Sequence, residues 1–296
     1  MSNDSNAKPF DLVLVGAISR DENIYGHQCE RSIGGAVTYG AFAANRSGGR
    51  VGVVTKLSAG DTHLSTRFVD DDIPVWVVPS TRTTAIRNIY HSADRERRTC
   101  TCLEAADAFT PACLPDVTTR IVHAAALMRG EIPLGTIEAM GRLGQVGLDV
   151  QGFLRVNRDT ELVFEKSDEA EQAIQLVTFL KADAAEAEIL TSKTDLVEAA
   201  LDLADRGPAE VVISHHTQIV LAYREKIFKA PLTPRGTDGR TGRGDTLFCS
   251  YLARRAIGDT PPRALKFAAA LVSLKLETPG PFKGTMADVL MKMKSG

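Results

Sequence analysis

Short apolar runs, rich in β-branched residues, alternate with stretches of helical spacing along most of this sequence. Such a run is typical of a buried strand, and apolar residues three or four apart are typical of an amphipathic helix. The alternation predicts a mostly parallel sheet covered by helices on both faces, an α/β fold. We expect strands at residues 11–17, 51–55, 75–78, 121–127, 146–150 and 211–214, and helices at 36–45, 167–181, 194–206, 245–257 and 261–276.

One segment departs from this alternation. Residues 84–90 and 99–105 are strand-like and flank a charged turn at 92–98, which is a hairpin pattern and not a strand–helix–strand unit. We interpret the hairpin, together with nearby N-terminal strands, as a lid over the sheet; a plain surface hairpin is the alternative. Residues 1–296 are then expected to form a single domain that carries a small lid.

The charge balance excludes one class of partner. The chain has 35 Lys and Arg residues against 37 Asp and Glu residues, a net charge of −2, whereas nucleic-acid-binding proteins normally carry a basic excess. It contains no apolar run of about 18 residues, and its polar N-terminus does not have the apolar core of a secretory signal. We therefore predict a cytoplasmic protein without a membrane partner, whose five cysteines are reduced thiols.

Three glycines, Gly239, Gly242 and Gly244, precede a helical pattern that begins with Asp245. Glycine permits turns with positive φ and close approach of a bound group, and the first turn of a helix offers unpaired N–H groups and the positive end of the helix dipole. This combination binds anions, phosphate in particular. Asp245 is either a helix cap or a carboxylate that accepts the proton of a hydroxyl group during phosphoryl transfer.

The sequence T-G-R-G-D-T from Thr241 to Thr246, with a helical pattern behind it, resembles the signature of the ribokinase-like (phosphofructokinase B) carbohydrate kinases. Gly34 and Gly35 are similar to the N-terminal signature of that family, and the D-A-A-E sequence ending at Glu186 stands where the family carries N-x-x-E. The resemblance spans nearly the whole chain. It implies a three-layer α/β/α sandwich with a mostly parallel sheet and a small β lid, ATP and Mg²⁺ as cofactors, and a monovalent cation as an optional third cofactor.

The resemblance also implies roles for particular residues. Asp245 would be the general base, and the turn Gly242–Arg243–Gly244 would be an anion hole for the transferring phosphoryl group. Asp21 matches the sugar-binding aspartate of the family. The nucleotide would be bound by Ser214, Thr241, Gly242 and Gly244, and Mg²⁺ would be held, through water, by Asp183 and Glu186.

The sequence departs from the family pattern on the donor side and in the acceptor site. Tyr39 stands where the ribose-specific branch has asparagine, which argues against ribose. The strand end at residues 212–219 carries His215 and His216 but none of the glycines usual in the nucleotide loop. We expect these two histidines to lie on a strand, facing opposite ways, with a structural or nucleotide-contact role. Asp183 replaces the family asparagine and adds a negative charge near the expected metal.

The stretch L-D-V-Q-G-F-L-R at 148–155 is similar to the branch that includes myo-inositol kinases. A strand ends just before Gln151 and Arg155, and ligand contacts cluster at such ends in parallel sheets. A surface loop charge is the alternative for Arg155, and a polar strand face is the alternative for Asn88. The predicted acceptor residues are Asp21, Gly34, Gly35, Asn88, Gln151 and Arg155.

These observations predict an ATP-dependent kinase that phosphorylates a hydroxyl group of a small sugar or cyclitol, with an inositol-type polyol favoured. A ribose or nucleoside kinase of the same family is one alternative. A kinase-fold protein that binds its ligand without turnover is another, because the nucleotide-loop glycines are missing. Lids of this family often pair between subunits, so we also expect a homodimer through residues 84–105.

Overall fold

The computed structural model describes residues 8–91 and 98–295. Within these residues the strands are, in chain order, Phe10–Val15 (β1), Ser19–Tyr25 (β2), Gln28–Gly34 (β3), Val51–Leu57 (β4), Val75–Pro79 (β5), Ala85–Tyr90 (β6), Arg98–Glu104 (β7), Thr119–Ala124 (β8), Gln145–Asp149 (β9), Arg155–Arg158 (β10), Glu161–Phe164 (β11), Phe179–Asp183 (β12), Glu210–Ser214 (β13), Gln218–Tyr223 (β14) and Lys226–Pro231 (β15).

The helices of the same residues pack around these strands. They are Ala36–Arg46 (α1), Leu134–Met140 (α2), Gln151–Leu154 (α3), Asp168–Gln175 (α4), Ala184–Thr191 (α5), Leu196–Asp205 (α6), Arg243–Ala256 (α7), Pro261–Leu276 (α8) and Met286–Ser295 (α9). Two 3₁₀ segments occupy Ala59–Asp71 and Pro111–Cys113. None of the described helices is long and apolar enough to cross a membrane.

The larger sheet has the strand order β15-β14-β13-β12-β9-β8-β1-β4-β5. Its strands are parallel from β13 to β5, and β14 and β15 are antiparallel. Strand β1 is buried on both faces: Leu12 and Leu14 pack with α1, α7 and α8, while Val13 and Val15 pack with α2, α4, α5 and α6. The predicted α/β/α sandwich with a mostly parallel sheet is confirmed.

A second sheet, in the order β10-β11-β7-β6-β2-β3, forms the lid. The predicted hairpin is confirmed as β6 and β7, while residues 92–97 of its charged turn lie outside the described residues. Strand β2 pairs in parallel with β6, so the lid is attached to the polypeptide that follows β1. This attachment places Asp21 on the inner face of the lid.

The helix predicted at residues 167–181 is wrong in its second half. Helix α4 ends at Gln175, and Phe179–Asp183 is a central strand hydrogen-bonded to β9 and β13. Val177 and Leu180 continue the helical spacing of Ala170 and Ile174, so local periodicity extends past the true end. Pairing on both sides within the sheet overrides that local pattern.

Candidate active site

A cleft of about 470 Å³ lies between the lid and the carboxyl ends of the parallel strands. Three of these strands deliver a polar residue at their last position: Asp149 on β9, Asp183 on β12 and Ser214 on β13. Ligands of open parallel sheets bind at this edge. The cleft is therefore the candidate active site.

The structure brings most of the predicted site residues together in this one cleft. Two do not line it: Gly34, which lies behind Asp21, and Glu186, whose side chain is buried beneath Asp183. The predicted residues that line it are Asp21, Gly35, Asn88, Gln151, Arg155, Asp183, Ser214, Thr241, Gly242, Arg243, Gly244 and Asp245.

The glycine turn enters α7 with a geometry that excludes side chains. Gly242 caps the helix at φ 75°, and a Cβ there would lie 2.1 Å from Cγ of Tyr39. A Cβ on Gly244 would lie 3.2 Å from Nζ of Lys181. No side chain caps α7. The Arg243 N–H donates to the Arg240 carbonyl at 3.2 Å, and the next N–H of the first turn, that of Gly244, is placed to meet an anion in the cleft.

Asp245 lies in that first turn, facing the cleft. Burial, followed by the neighbouring Asp149 carboxylate, raises the pKa of the Asp245 carboxyl to about 6, against the opposing pull of Lys181 and Lys275. A carboxylate with this pKa is mostly ionised at neutral pH, and it is a stronger base than an exposed aspartate. The arrangement therefore suits proton transfer from a hydroxyl group better than simple helix capping.

Lys181 is a buried cation beneath the first turn of α7. Its Nζ lies 2.9 Å from Oδ2 of Asp149 and 3.5 Å from Oε2 of Glu186, and its side chain is only 5% exposed. The flanking carboxylates raise the pKa of Lys181 despite its burial. Lys181 thus stays charged and lies beside the amides that would meet a phosphoryl group.

Asp183 and Glu186 form a reciprocal cap at the start of α5. Oδ1 of Asp183 accepts the Glu186 N–H at 2.8 Å, and Oε2 of Glu186 accepts the Asp183 N–H at 2.7 Å. Oε1 of Glu186 is buried with no hydrogen-bond partner, so it could accept a hydrogen bond from a water molecule bound to a nearby Mg²⁺. No cluster of three or more metal-ligating side chains occurs among the described residues, and Mg²⁺ in proteins usually keeps several waters.

The acceptor end of the cleft is built on the lid. Ser19 donates a hydrogen bond to Oδ1 of Asp21 at 2.6 Å, and a Cβ on Gly34 would lie 2.0 Å from Oδ2 of Asp21. Burial raises the pKa of the Asp21 carboxyl, against the pull of Arg98 and Arg155. Arg155 is 6% exposed and is therefore no surface loop charge.

Asn88 is also inside the site. Asn88 is 3% exposed, and its Nδ2 donates a hydrogen bond to Oδ1 of Asn23 at 3.1 Å. The Cys100 thiol donates to Oδ1 of Asn88 at 3.3 Å. Asn88 therefore belongs to a hydrogen-bonded row that crosses the inner face of the lid.

Sequence reasoning missed Asp149, Lys181, Arg98 and Lys275. The first two carried a usable signal, since each is a charged residue inside an apolar strand run, and such residues are rarely buried without a partner. Arg98 belonged to a hairpin turn that looked solvated. Lys275 follows an ordinary helical pattern, and nothing in its neighbourhood along the chain marks it.

The expectation that His215 and His216 lie on a strand is wrong. Strand β13 ends at Ser214, and both histidines lie in the connection to β14, where the His215 N–H donates to the Gln218 carbonyl at 2.9 Å. Their rings lie together, with centroids 3.8 Å apart, because a tight turn does not impose the alternation of a strand. Both line the cleft.

The family model described as pfkB family carbohydrate kinase matches residues 7–285, which is nearly the entire chain. The chain belongs to the PfkB family. This PfkB protein is a phosphotransferase that acts on a hydroxyl group of a sugar or cyclitol, as its sequence resemblance implied. A comparison with curated proteins gives no match.

Solved structures of the same fold superpose closely on this PfkB chain. A pyrophosphate-dependent kinase of the ribokinase family, bound to a pyrophosphate analogue and myo-inositol, is 29% identical, with a TM-score of 0.86 over 95% of this chain and 99% of that one. A pyrophosphate-dependent myo-inositol-1 kinase, converted by two substitutions into a myo-inositol-3 kinase, is 28% identical, with a TM-score of 0.86 over 96% and 98% of the two chains.

A more distant structure, Arabidopsis thaliana ribokinase with ribose and ATP, is 18% identical. Its TM-score is 0.74, over 97% of this chain and 99% of that one. This likeness shows the shared ribokinase-like fold.

Proposed function

We propose that this PfkB kinase transfers a phosphoryl group from inorganic pyrophosphate to a hydroxyl group of an inositol-type cyclitol. The single observation that carries the choice of donor is the lining of the cleft around the β13–β14 connection, which we call the donor end. Among the described residues that line it, phosphate-binding groups predominate over apolar ones. Its lining residues are Asp183, Ala184, Ala185, Ser214, His215, His216, Arg240 and Arg243.

A nucleotide needs an apolar or aromatic slot for its base in addition to a phosphate site. At the donor end the lining is polar or charged apart from two alanines, and the His215 and His216 rings occupy the tight connection. Guanidinium groups suit phosphate oxygens. The two structural relatives described as pyrophosphate-dependent support the same choice. ATP, the donor implied by the resemblance, is the alternative outcome of the donor test.

The acceptor end favours a polyol. Asp21, Asn88 and Arg155 present carboxylate, amide and guanidinium groups within one wall of the cleft, and such groups match a ring that carries hydroxyls on every side. Gln151 lies at the start of α3 and also lines this end. The relative solved with myo-inositol supports this acceptor class.

The proposed reaction needs one proton transfer and one phosphoryl transfer. Asp245 accepts the proton of the acceptor hydroxyl, whose oxygen forms a bond to phosphorus as the bridging P–O bond of pyrophosphate breaks and phosphate leaves. The amides of the Gly242–Gly244 turn and the Lys181 ammonium offset the charge on the transferring group. Asp183 and Glu186 would hold Mg²⁺ through water, and the ion would neutralise charge on the donor.

The donor test measures product formation by ³¹P NMR with Mg²⁺ and myo-inositol, comparing pyrophosphate with ATP. Pyrophosphate is expected to support turnover about 100-fold or more faster than ATP. The matched control is Asp245→Asn, which retains the size and polarity of the side chain and removes the base. A panel of other inositols, sugars and nucleosides, each with pyrophosphate, then tests the acceptor class.

Each outcome separates one part of the proposal from the rest. Turnover with ATP alone overturns the pyrophosphate donor. Faster turnover with ribose or a nucleoside than with every inositol overturns the cyclitol acceptor. Binding of myo-inositol without turnover for any donor leaves the binding-protein alternative.

A further inference from the structure

The turn that precedes α7 rests on a buried ammonium group. Lys275, in the last turn of α8, is 1% exposed. Its Nζ donates hydrogen bonds to the backbone carbonyls of Gly239 and Thr241, which belong to the segment just before Gly242. The lysine thus binds the segment that leads into the anion hole without itself lining the cleft.

The environment of this ammonium is made of carbonyl oxygens and a ring. No carboxylate among the described residues forms an ion pair with Lys275, and the nearest anionic influence is that of Asp245. The Nζ lies 5.3 Å from the centroid of the Tyr39 ring, within the range of a cation–π contact. Backbone carbonyl oxygens are the ligands that replace the hydration shell of K⁺ in potassium-channel filters, so such oxygens suit a monovalent cation.

Lys275 is also connected to the catalytic turn through Tyr39. The same ring lies under Gly242, where a Cβ would fall 2.1 Å from its Cγ. Gly239 is closed against the end of α8: its N–H donates to the Leu276 carbonyl at 2.9 Å, and a Cβ would lie 2.0 Å from the Thr278 carbonyl oxygen. The ammonium therefore fixes both the carbonyls of the turn and the ring on which its helix-capping glycine rests.

We propose that the Lys275 ammonium takes the place of a monovalent cation in organising the anion hole, so that this kinase works without K⁺ or Na⁺. The monovalent cation implied by the resemblance does not fit here, because the converging carbonyls of Gly239 and Thr241 already bind an ammonium group. This inference rests on the proposed function only for the choice of probe. Its test therefore includes anion binding, which does not depend on turnover.

The experiment measures affinity for methylenebisphosphonate by calorimetry, and turnover where it is present, in K⁺, Na⁺ and tetramethylammonium chlorides. At constant ionic strength, which keeps screening equal, we expect wild-type values to agree within about twofold. Lys275→Met is expected to weaken binding about tenfold or more, since a charged donor is lost. The matched control, Lys266→Met, changes an exposed lysine of the same helix and is expected to leave binding unchanged.

The wild-type comparison alone decides the proposal, so a variant that fails to fold does not obscure it. A tenfold or larger gain in affinity or turnover in K⁺ or Na⁺ over tetramethylammonium overturns it. In Lys275→Ala, partial recovery of binding by K⁺ or ammonium ions supports it. Salt-independent binding without turnover on any polyol supports the role of Lys275 while the proposed function fails.

Discussion

Two buried lysines flank the Gly242–Gly244 turn that we propose as the anion hole, and their surroundings differ. Lys181 lies under the first turn of α7 between the carboxylates of Asp149 and Glu186, which raise its pKa. Lys275 lies on the other side, among carbonyls and the Tyr39 ring, where burial lowers its pKa to about 8. One lysine is a fixed positive charge, and the other is close to losing its proton in the working range of many enzymes.

The difference teaches that burial alone does not set the state of a charged side chain. The carboxyl groups of Asp149 and Glu186 offset the desolvation of Lys181, whereas carbonyl dipoles and a ring offset it less for Lys275. The Lys181 side therefore contributes permanent charge beside the proposed phosphoryl site. The Lys275 side contributes the shape of the turn, and it is sensitive to pH.

The largest effect is expected at Asp245, the carboxylate that both lysines stabilise. Asp245→Asn removes the base and should lower kcat by about 10³-fold, while affinity for myo-inositol and for methylenebisphosphonate stays within a few-fold of wild type. Steady-state kinetics and calorimetry check the two parts. Retention of more than a tenth of wild-type kcat would show that Asp245 is only a cap.

The second-largest effect is expected on folding stability, where variants of the two lysines should differ. Lys181→Met leaves Asp149 and Glu186 buried without their cation and should lower the free energy of unfolding by about 3–5 kcal/mol. Lys275→Met removes no partner from a buried ion pair, so it should lower the free energy of unfolding clearly less. Urea denaturation of both variants measures the difference, and equal losses would show that the two lysines do not differ in their need for carboxylate partners.

The pH profile sharpens the same comparison. Asp245 must be ionised to accept a proton, so kcat/KM should rise as the pH passes about 6. Lys275 must be protonated to keep its charge on the turn, so kcat/KM should fall as the pH passes about 8. Burial is the main cause of the raised pKa of Asp245; the facing Asp149 carboxyl raises it further, and the facing Lys181 and Lys275 lower it.

The matched comparison is the profile of Lys275→Met, in which the falling limb should disappear. The rising limb should remain but move to higher pH, because the Lys275 charge no longer lowers the pKa of Asp245. Ionisation of pyrophosphate affects both proteins alike, so the difference between the two profiles is the test. A falling limb that persists in the variant would assign that limb to another group.

The smallest effect is expected at Tyr39. Tyr39→Phe keeps the ring that supports Gly242 and faces Lys275, so kcat/KM should change by less than about threefold. Tyr39→Leu removes the ring and should lower kcat/KM further, because Gly242 loses the group that supports it. If Phe and Leu are equally damaging, the hydroxyl group and not the ring matters.

Much of the fold follows from local pattern. The predicted bounds of α8 agree with the structure, and those of α1 and α7 agree within two residues, because each is a long amphipathic stretch that ends at a clear signal. N-terminal strands were expected to contribute to the lid, but the bounds of β2 and β3 were not predicted. Their sequences, S-R-D-E-N-I-Y and Q-C-E-R-S-I-G, are polar. Strand β2 forms by pairing with the distant β6, and β3 forms by pairing with β2.

The candidate site likewise contains some residues that a local sequence motif marks and others that only the folded chain brings together. Asp245, Gly242 and Gly244 are adjacent in sequence, so their motif could be recognised. Lys275 meets the carbonyl of Gly239 across 36 positions of sequence, and no local pattern records such a contact. Contacts set by helix packing become visible only when the chain is folded.

The placement of Lys275 on a helix has a consequence for how the kinase meets its surroundings. A dissolved ion occupies its site according to its concentration, whereas a side chain attached to α8 is present at an effective concentration that dilution cannot change. Each folded molecule would thus carry an anion hole that already contains its cation. Changes in the salt content of the medium would leave its occupancy constant.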